Sequence, residues 1–186
     1  MKLTKRNQGF TLIELLIVIG VLGILASGLL AAVDPFEQLK KGRDSNRRNI
    51  VVELHNSMIR YYATHGSLPW DVAGSACDPT LVRASGSDVN SPVSALTDCV
   101  DMVIADGELK TDFMVALGTD ADKIFVSSPS TVSLSACFSP ESKSLFNDAA
   151  TRYDEFGNNV SGTGEACETA AKVALTPGLT CHWCAK

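Results

Sequence analysis

Long segments of this sequence lack cysteine or charged residues, and its residues form no recognisable catalytic pattern. The first 76 residues contain no cysteine, and the apolar run from Phe10 to Val33 contains no charged side chain except Glu14. The three histidines form no Ser/His/Asp or Cys/His arrangement. No small-residue cleavage signal directly follows the apolar run, and no internal repeat is found. We therefore expect no catalytic residue, cofactor or resident metal, and no typical secretory signal peptide.

The apolar run is long enough to cross a membrane. As a helix, its 24 residues extend about 36 Å, and the hydrocarbon core of a bilayer is about 30 Å thick. Gly20, Gly23 and Gly28 within it would let another helix approach closely. A single-pass anchor explains the length but leaves Glu14 unexplained, because a charge near the bilayer centre costs roughly 2.5–3.5 kcal/mol.

The cysteines indicate on which side of the membrane the rest of the chain lies. Basic residues occur on both sides of the apolar run, so the positive-inside rule gives no clear orientation. An even number of cysteines in a small, loop-rich domain predicts disulfides formed in an oxidising compartment. We therefore expect residues 67–186 to form an extracellular globular head. The six cysteines are Cys77, Cys99, Cys137, Cys167, Cys181 and Cys184.

The residues from Gln8 to Leu16, QGFTLIELL, closely resemble the N-terminus of type IV prepilins and of the related pseudopilins of type II secretion. The resemblance implies that residues 1–9 are a leader that a prepilin peptidase removes after Gly9. It also implies that Phe10 becomes the N-methylated first residue and that Glu14 is used in filament assembly. The expected partners are inner-membrane assembly machinery, membrane lipid before assembly, and further copies or related pilins in a filament on the cell surface.

This resemblance gives the charge of Glu14 a physical role. After cleavage Phe10 carries a free α-amino group, whose unperturbed pKa is near 8. The family docks each new subunit so that its glutamate lies near the N-terminal amine of a neighbour. Removing one partner of a buried pair costs roughly 3–5 kcal/mol, so a carboxylate that is costly in lipid favours assembly.

A second helical segment is predicted after the apolar run. Apolar residues at helical spacing indicate an amphipathic continuation over residues 34–66, with Gly66 as the stop. Asp34-Pro35 and Gly42 are candidate bends, because proline lacks a backbone donor and glycine weakens a helix. The predicted apolar face consists of Phe36, Leu39, Ile50, Leu54, Met58 and Tyr61.

A basic cluster from Lys40 to Arg48 lies on this segment of a chain whose formal net charge is −5. Five cations in nine residues could bind nucleic-acid phosphates, so DNA binding stays open. We favour a packing role, since charge runs on helices are usually structural and a basic helix suits acidic neighbouring subunits.

The head is predicted to contain a small antiparallel sheet. Residues 123–127 and 131–138 have strand composition and are separated by Ser128-Pro129-Ser130, which predicts a turn; residues 144–146 are a possible third strand. Residues 67–97 are predicted to be a long loop, residues 111–118 a helix or a strand, and residues 165–175 a short helix. The resulting fold class is α+β, a long helix packed on a disulfide-stapled sheet, which is the pilin plan.

Several patterns in the head have alternative interpretations. Cys77 and Cys99 are the favoured local disulfide, and Cys137 is expected to pair with Cys167, Cys181 or Cys184. The C-x-x-C spacing of Cys181 and Cys184 is typical of redox motifs, and with His182 it offers three zinc ligands, but a structural disulfide is favoured. The acidic groups at 120–122 and 154–158 lack the calcium-loop pattern, which favours solvated turns.

Two functions remain open from the sequence. The first is a structural subunit of a type IV pilus or pilus-like filament, used in adhesion, motility, DNA uptake or secretion. The second is a membrane-tethered extracellular protein with a cysteine-rich head that acts as a monomer in redox chemistry or binding.

Overall fold

The computed structural model describes residues 10–32, 34–83, 90–160, 167 and 181–186. The chain divides between Gln38 and Leu39 into an N-terminal unit and a larger head unit. The predicted helix at residues 165–175 lies outside the described residues, apart from Cys167. The helices are α1 Leu12–Ala32, α2 Pro35–His65, α3 Thr97–Ala105, α4 Phe113–Leu117 and α5 Lys143–Phe146. The strands are β1 Ser91–Pro92, β2 Ile124–Ser130, β3 Ser133–Phe138, β4 Thr151–Tyr153 and β5 His182–Ala185.

The two long helices are separate elements. Helix α1 ends at Ala32, and α2 begins at Pro35, a position where the missing backbone N–H of proline costs nothing. The Asp34 side chain accepts hydrogen bonds from the backbone N–H groups of Phe36 and Glu37, which caps α2. Gly42, the other candidate bend, lies within α2. The helix ends at His65, directly before Gly66, whose φ of 73° suits a residue without a side chain.

The head contains one five-stranded sheet, in the order β1-β2-β3-β5-β4, and all neighbouring strands are antiparallel. The predicted β2–β3 pair is confirmed, but the predicted turn at Ser128-Pro129-Ser130 is wrong. These residues belong to β2, and the turn falls at Thr131 and Val132. The β2–β3 register shifts between Ser127 and Ser130, and such an irregularity accommodates Pro129 because proline cannot donate to the ladder.

Two further predictions for the head need correction. Residues 144–146 are not a strand, because α5 forms there with Ser142 as its N-cap, accepting a hydrogen bond from the backbone N–H of Leu145. Residues 67–97 are not one irregular loop, since they contain β1 and three short 3₁₀ turns. The ambiguous segment at 111–118 forms the helix α4. Helix α3 and strands β4 and β5 had no sequence prediction.

The core of the head lies between α2, the sheet and α3. Val51, Leu54, Met58 and Tyr61 supply the buried face of α2, against side chains such as Val100, Ile124 and Phe138. The predicted apolar face of α2 is therefore buried only in its C-terminal half. Phe36 and Leu39, which the same periodicity included, are 74% and 62% exposed. The N-terminal half of α2 buries charged side chains instead.

Arg47 is the centre of this charged contact and is 1% exposed. Its guanidinium donates to Asp120 Oδ1 at 2.8 and 3.0 Å, and it lies 2.8 Å from Glu141 Oε1. Asp44, one helical turn earlier, accepts hydrogen bonds from the backbone N–H groups of Glu141 and Ser142. Part of the basic cluster therefore pairs with acids of its own chain.

The carboxylate of Glu141 forms ion pairs with three cations. It contacts Arg47, Arg43 at 2.7 Å and Lys123 at 3.3 Å. Burial alone would raise the pKa of Glu141, but hydrogen bonds from these cations and the charge of Arg47 outweigh burial and lower the pKa to about 2. This carboxylate therefore stays ionised at every physiological pH.

The Arg47 contact predicts a large difference between two arginine variants. Arg47→Met leaves Asp44, Asp120 and Glu141 without their buried cation and should lower the free energy of unfolding of the head by roughly 3–5 kcal/mol. Arg43→Met removes a partner that is 54% exposed and should cost about 1 kcal/mol or less. Urea unfolding of the full chain in detergent micelles measures both. Equal losses would contradict the central role of Arg47.

A second prediction concerns acid. Because the folded-state pKa of Glu141 lies below its usual value of 4.5, the stability it contributes is complete above pH 4.5 and is lost as the pH falls through about 2. Glu141→Gln should therefore be less stable than the unaltered chain at pH 6, and this gap should close towards pH 2. The measurement is the urea midpoint of both proteins across this range. A gap that does not change with pH would show that Glu141 is not held ionised by its cations.

Candidate assembly site

The site indicated by the sequence is the start of helix α1. Gly9, the predicted residue before the cut, lies outside the described residues. Phe10 precedes the helix and is 84% exposed, and Glu14 lies in the first helical turn. Both side chains are exposed in the part of the chain that the structure describes.

Thr11 and Glu14 form a reciprocal cap on α1. The Glu14 backbone N–H donates to Thr11 Oγ1 at 3.3 Å, while Glu14 Oε2 accepts from the backbone N–H of Thr11 at 2.9 Å and from its hydroxyl at 2.8 Å. This is the capping-box arrangement, in which a threonine and a glutamate three residues later satisfy free N–H groups at the helix start. The sequence contains this Thr-x-x-Glu spacing. Its capping role was not predicted, because Glu14 was interpreted only by its charge.

The cap provides hydrogen-bond donors to only one of the two oxygens of the Glu14 carboxylate. Both bonds reach the same oxygen, Oε2, so within the described residues Oε1 stays open to another donor. Thr11 contributes neutral donors, which satisfy hydrogen bonding but do not cancel the charge. An opposite charge is therefore still needed wherever this turn leaves water.

The surface of α1 is apolar and uncovered. The window Leu12–Leu29 is long and apolar enough, by length and composition only, to cross a membrane, and none of it is buried inside the protein. Within the described residues, a side chain added at Gly20, Gly23 or Gly28 would meet no heavy atom within 4 Å beyond the nearby backbone of α1 itself. The chain's own packing therefore does not require these glycines, and the exposed apolar surface needs lipid or other helices to cover it.

All six cysteines form disulfides, and none is a free thiol. Cys77 is bonded to Cys99, the pair that the sequence spacing favoured, and Cys137 is bonded to Cys184. Cys181 is bonded to Cys167. The two cysteines of the C-x-x-C sequence therefore belong to different disulfides, which leaves no thiol there for redox chemistry or zinc binding.

The acidic groups considered for calcium have other contacts. Asp120 pairs with Arg47, and Asp154 accepts hydrogen bonds from the backbone N–H groups of Phe156 and Asn158 in a tight turn. Within the described ranges, no group of three or more His, Cys, Asp or Glu side chains is arranged to hold a metal ion.

Comparisons with known proteins agree with the N-terminal site. Residues 4–30 match the family described as "Prokaryotic N-terminal methylation motif". The chain is also 34% identical over 87 residues to the fimbrial protein EcpC of Eikenella corrodens, a match that covers 47% of this chain and 54% of that protein. The matched segment thus spans about half the length of this relative. No solved structure matches the chain.

These findings support a pilus subunit, and they fit a membrane-anchored precursor and a surface filament. A long apolar N-terminal helix, a small antiparallel sheet and three disulfides agree with the pilin fold. The N-terminal motif, the fold and the fimbrial relative together support a type IV pilin family for this chain.

Proposed function

We propose that the chain is a structural subunit of a type IV pilus or pilus-like filament and that it assembles through α1. Residues 1–9 are the leader, removed after Gly9, and Phe10 becomes the methylated N-terminus. Residues 10–33 span the membrane and then enter the filament core, and residues 34–66, which contain the separate helix α2, lead into the extracellular head at 67–186. The observation that carries the proposal is an uncovered apolar helix with one carboxylate in its first turn.

The cap geometry supports a role for Glu14 between subunits. The Thr11 N–H belongs to the peptide bond between Phe10 and Thr11, so cleavage after Gly9 removes no atom of the capping box. The cap holds the carboxylate at the helix start, with Oε1 open within the described part of the chain. An N-terminal amine of a neighbouring subunit that reaches this oxygen would supply the missing opposite charge.

The uncovered glycines support close packing between helices. Among the described residues, nothing beyond the nearby backbone of α1 fills the space beside Gly20, Gly23 and Gly28, and small residues let helix backbones approach within van der Waals contact. In the membrane this surface faces lipid, and in the filament it faces the α1 helices of other copies or related pilins. The inner-membrane assembly machinery would carry out this transfer.

The first test concerns processing. The mature chain should begin at Phe10, and replacing Gly9 with a bulky residue should leave the uncut form in the membrane. Intact mass and N-terminal sequencing of surface-exposed protein measure this directly. Surface protein that still contains Lys2 or Thr4 would contradict cleavage after Gly9.

The second test separates the charge of Glu14 from its capping role. Glu14→Gln keeps the cap, because glutamine serves in capping boxes, but removes the charge. We expect this variant to be cleaved and to reach the membrane normally, yet to give few filaments. Thr11→Val keeps the charge and removes the hydroxyl, so it should lose about 1 kcal/mol of helix capping and still form filaments.

The readouts are filament yield at equal membrane level and amide hydrogen exchange in the first turn of α1. Normal filaments from Glu14→Gln would show that the charge has no role in docking. An equal loss of filaments in both variants would show instead that capping alone is what assembly needs.

A further inference from the structure

Acidic side chains outnumber basic ones in the part of the head that follows α2. Residues 67–186 carry 16 of the 21 acidic side chains but only 7 of the 16 basic ones. The exposed cations of α2 therefore lie on a protein whose remaining charged head residues are mostly acidic. One group of them lines a hollow between α2 and the segment around α5.

This hollow, which we name the basic edge, has a volume of about 170 Å³. Its exposed cations are Lys41 and Arg48, which lie seven residues apart on one side of α2. The guanidinium of Arg48 stacks 4.8 Å from the ring centroid of Trp183, which holds it in place. Asp44 also lines the hollow, but it is buried and both its oxygens accept backbone hydrogen bonds. The charge that the basic edge presents to solvent is therefore positive.

An acidic surface lies on α3 and on the segment bonded to it. Asp98 and Asp101 are exposed, three residues apart on one face of α3. The Cys77–Cys99 disulfide, with 4.7 Å between its Cα atoms, brings the exposed Asp78 next to the first turn of α3. We name these three aspartates the acidic end. Among the described residues, no cation forms an ion pair with any of them.

Contacts with α2 fix the relative placement of the two surfaces within the head. Glu108 and Asp106, just after α3, pair with Arg60 and His65 in the last turns of α2. Lys41 lies 19 helical residues before Arg60, about 28 Å along the helix. The basic edge lies on the N-terminal half of α2, and the acidic end lies on α3, whose following residues contact the last turns of α2, so the two are different surfaces of the head.

We propose that the basic edge of one subunit binds the acidic end of a second copy of this chain. This contact rests on the proposed filament and names the head surfaces that join in it. Two different surfaces that bind each other make a heterologous contact, which repeats as an open polymer when the rotation does not close a ring. Complementary charges also exclude wrong registers, since like charges that face each other repel.

The test uses two charge-reversed forms of the full chain. The first form carries Lys41→Glu and Arg48→Glu and so has two acidic surfaces. The second carries Asp98→Lys and Asp101→Lys and so has two basic surfaces. Each alone should give about tenfold fewer filaments than the unaltered chain at equal membrane level, because like charges meet at every contact. The two forms expressed together should restore filaments, since they alternate with opposite charges at each contact.

Matched controls reverse exposed charges elsewhere and change the net charge equally. They are Lys110→Glu with Arg152→Glu, and Asp112→Lys with Asp122→Lys, and both should leave the filament yield unchanged. Normal filaments from either reversed form alone would overturn the proposed contact. A loss in the first form only, with no rescue by the second, would also overturn it and would indicate nucleic acid or anionic lipid as the occupant of the basic edge.

A second readout separates this contact from the proposed function. In detergent micelles the reversed forms should associate with each other and not with themselves, and 0.5 M salt should weaken the association, as light scattering would show. Failure of the filament proposal would appear as no filaments from the unaltered chain, whatever the micelle result. Failure of the contact would appear as no association between the two reversed forms.

Discussion

An ionised side chain that is removed from water needs an opposite charge beside it. This constraint applies both to α1 and to the head. In α1 the carboxylate of Glu14 is held by neutral donors of Thr11, which leaves its charge uncompensated within the described chain. In the head, Arg47 is buried with Asp120 and Glu141 beside it, so its charge is compensated. The buried charge of the head is therefore compensated within a single subunit, whereas the charge on the membrane helix is not. Polymerisation is the step that would complete it.

The difference explains how one chain can be stable both in a membrane and in a filament. The head has its own core, its own ion pairs and three disulfides, so it needs no neighbour to fold. Helix α1 has no core of its own, and its large apolar side chains from Leu12 to Leu29 are exposed. Lipid covers these side chains equally well at any rotation of the helix. On the proposed function, the amine of a neighbouring subunit would pair with the charge of Glu14 and so supply the specificity that apolar packing lacks.

The sequence predicted the parts of this structure that depend on local pattern. The apolar span, the stop of α2 before Gly66, the β2–β3 pair and the Cys77–Cys99 disulfide all follow from composition or spacing over short distances. The errors arose where a distant residue decides the local structure. Residues 144–146 have strand composition, but Ser142 caps a helix there while Asp44, about a hundred positions earlier, accepts its backbone N–H. Periodicity included Phe36 and Leu39 in the buried face of α2, although the contact at that end of the helix is made by Arg47.

The central claim is that the charge of Glu14 is matched by the N-terminal amine of another subunit. Solid-state NMR of filaments grown from two separately labelled pools measures this directly, with ¹³C-glutamate in one pool and ¹⁵N-phenylalanine in the other. Because the labels never share a chain, any contact between them joins two subunits. The account predicts a dipolar contact between the Glu14 carboxyl carbon and the Phe10 amine nitrogen, at a distance of about 5 Å or less. Intact filaments with no such contact, in which Glu14 is close only to Thr11 of its own chain, would contradict it.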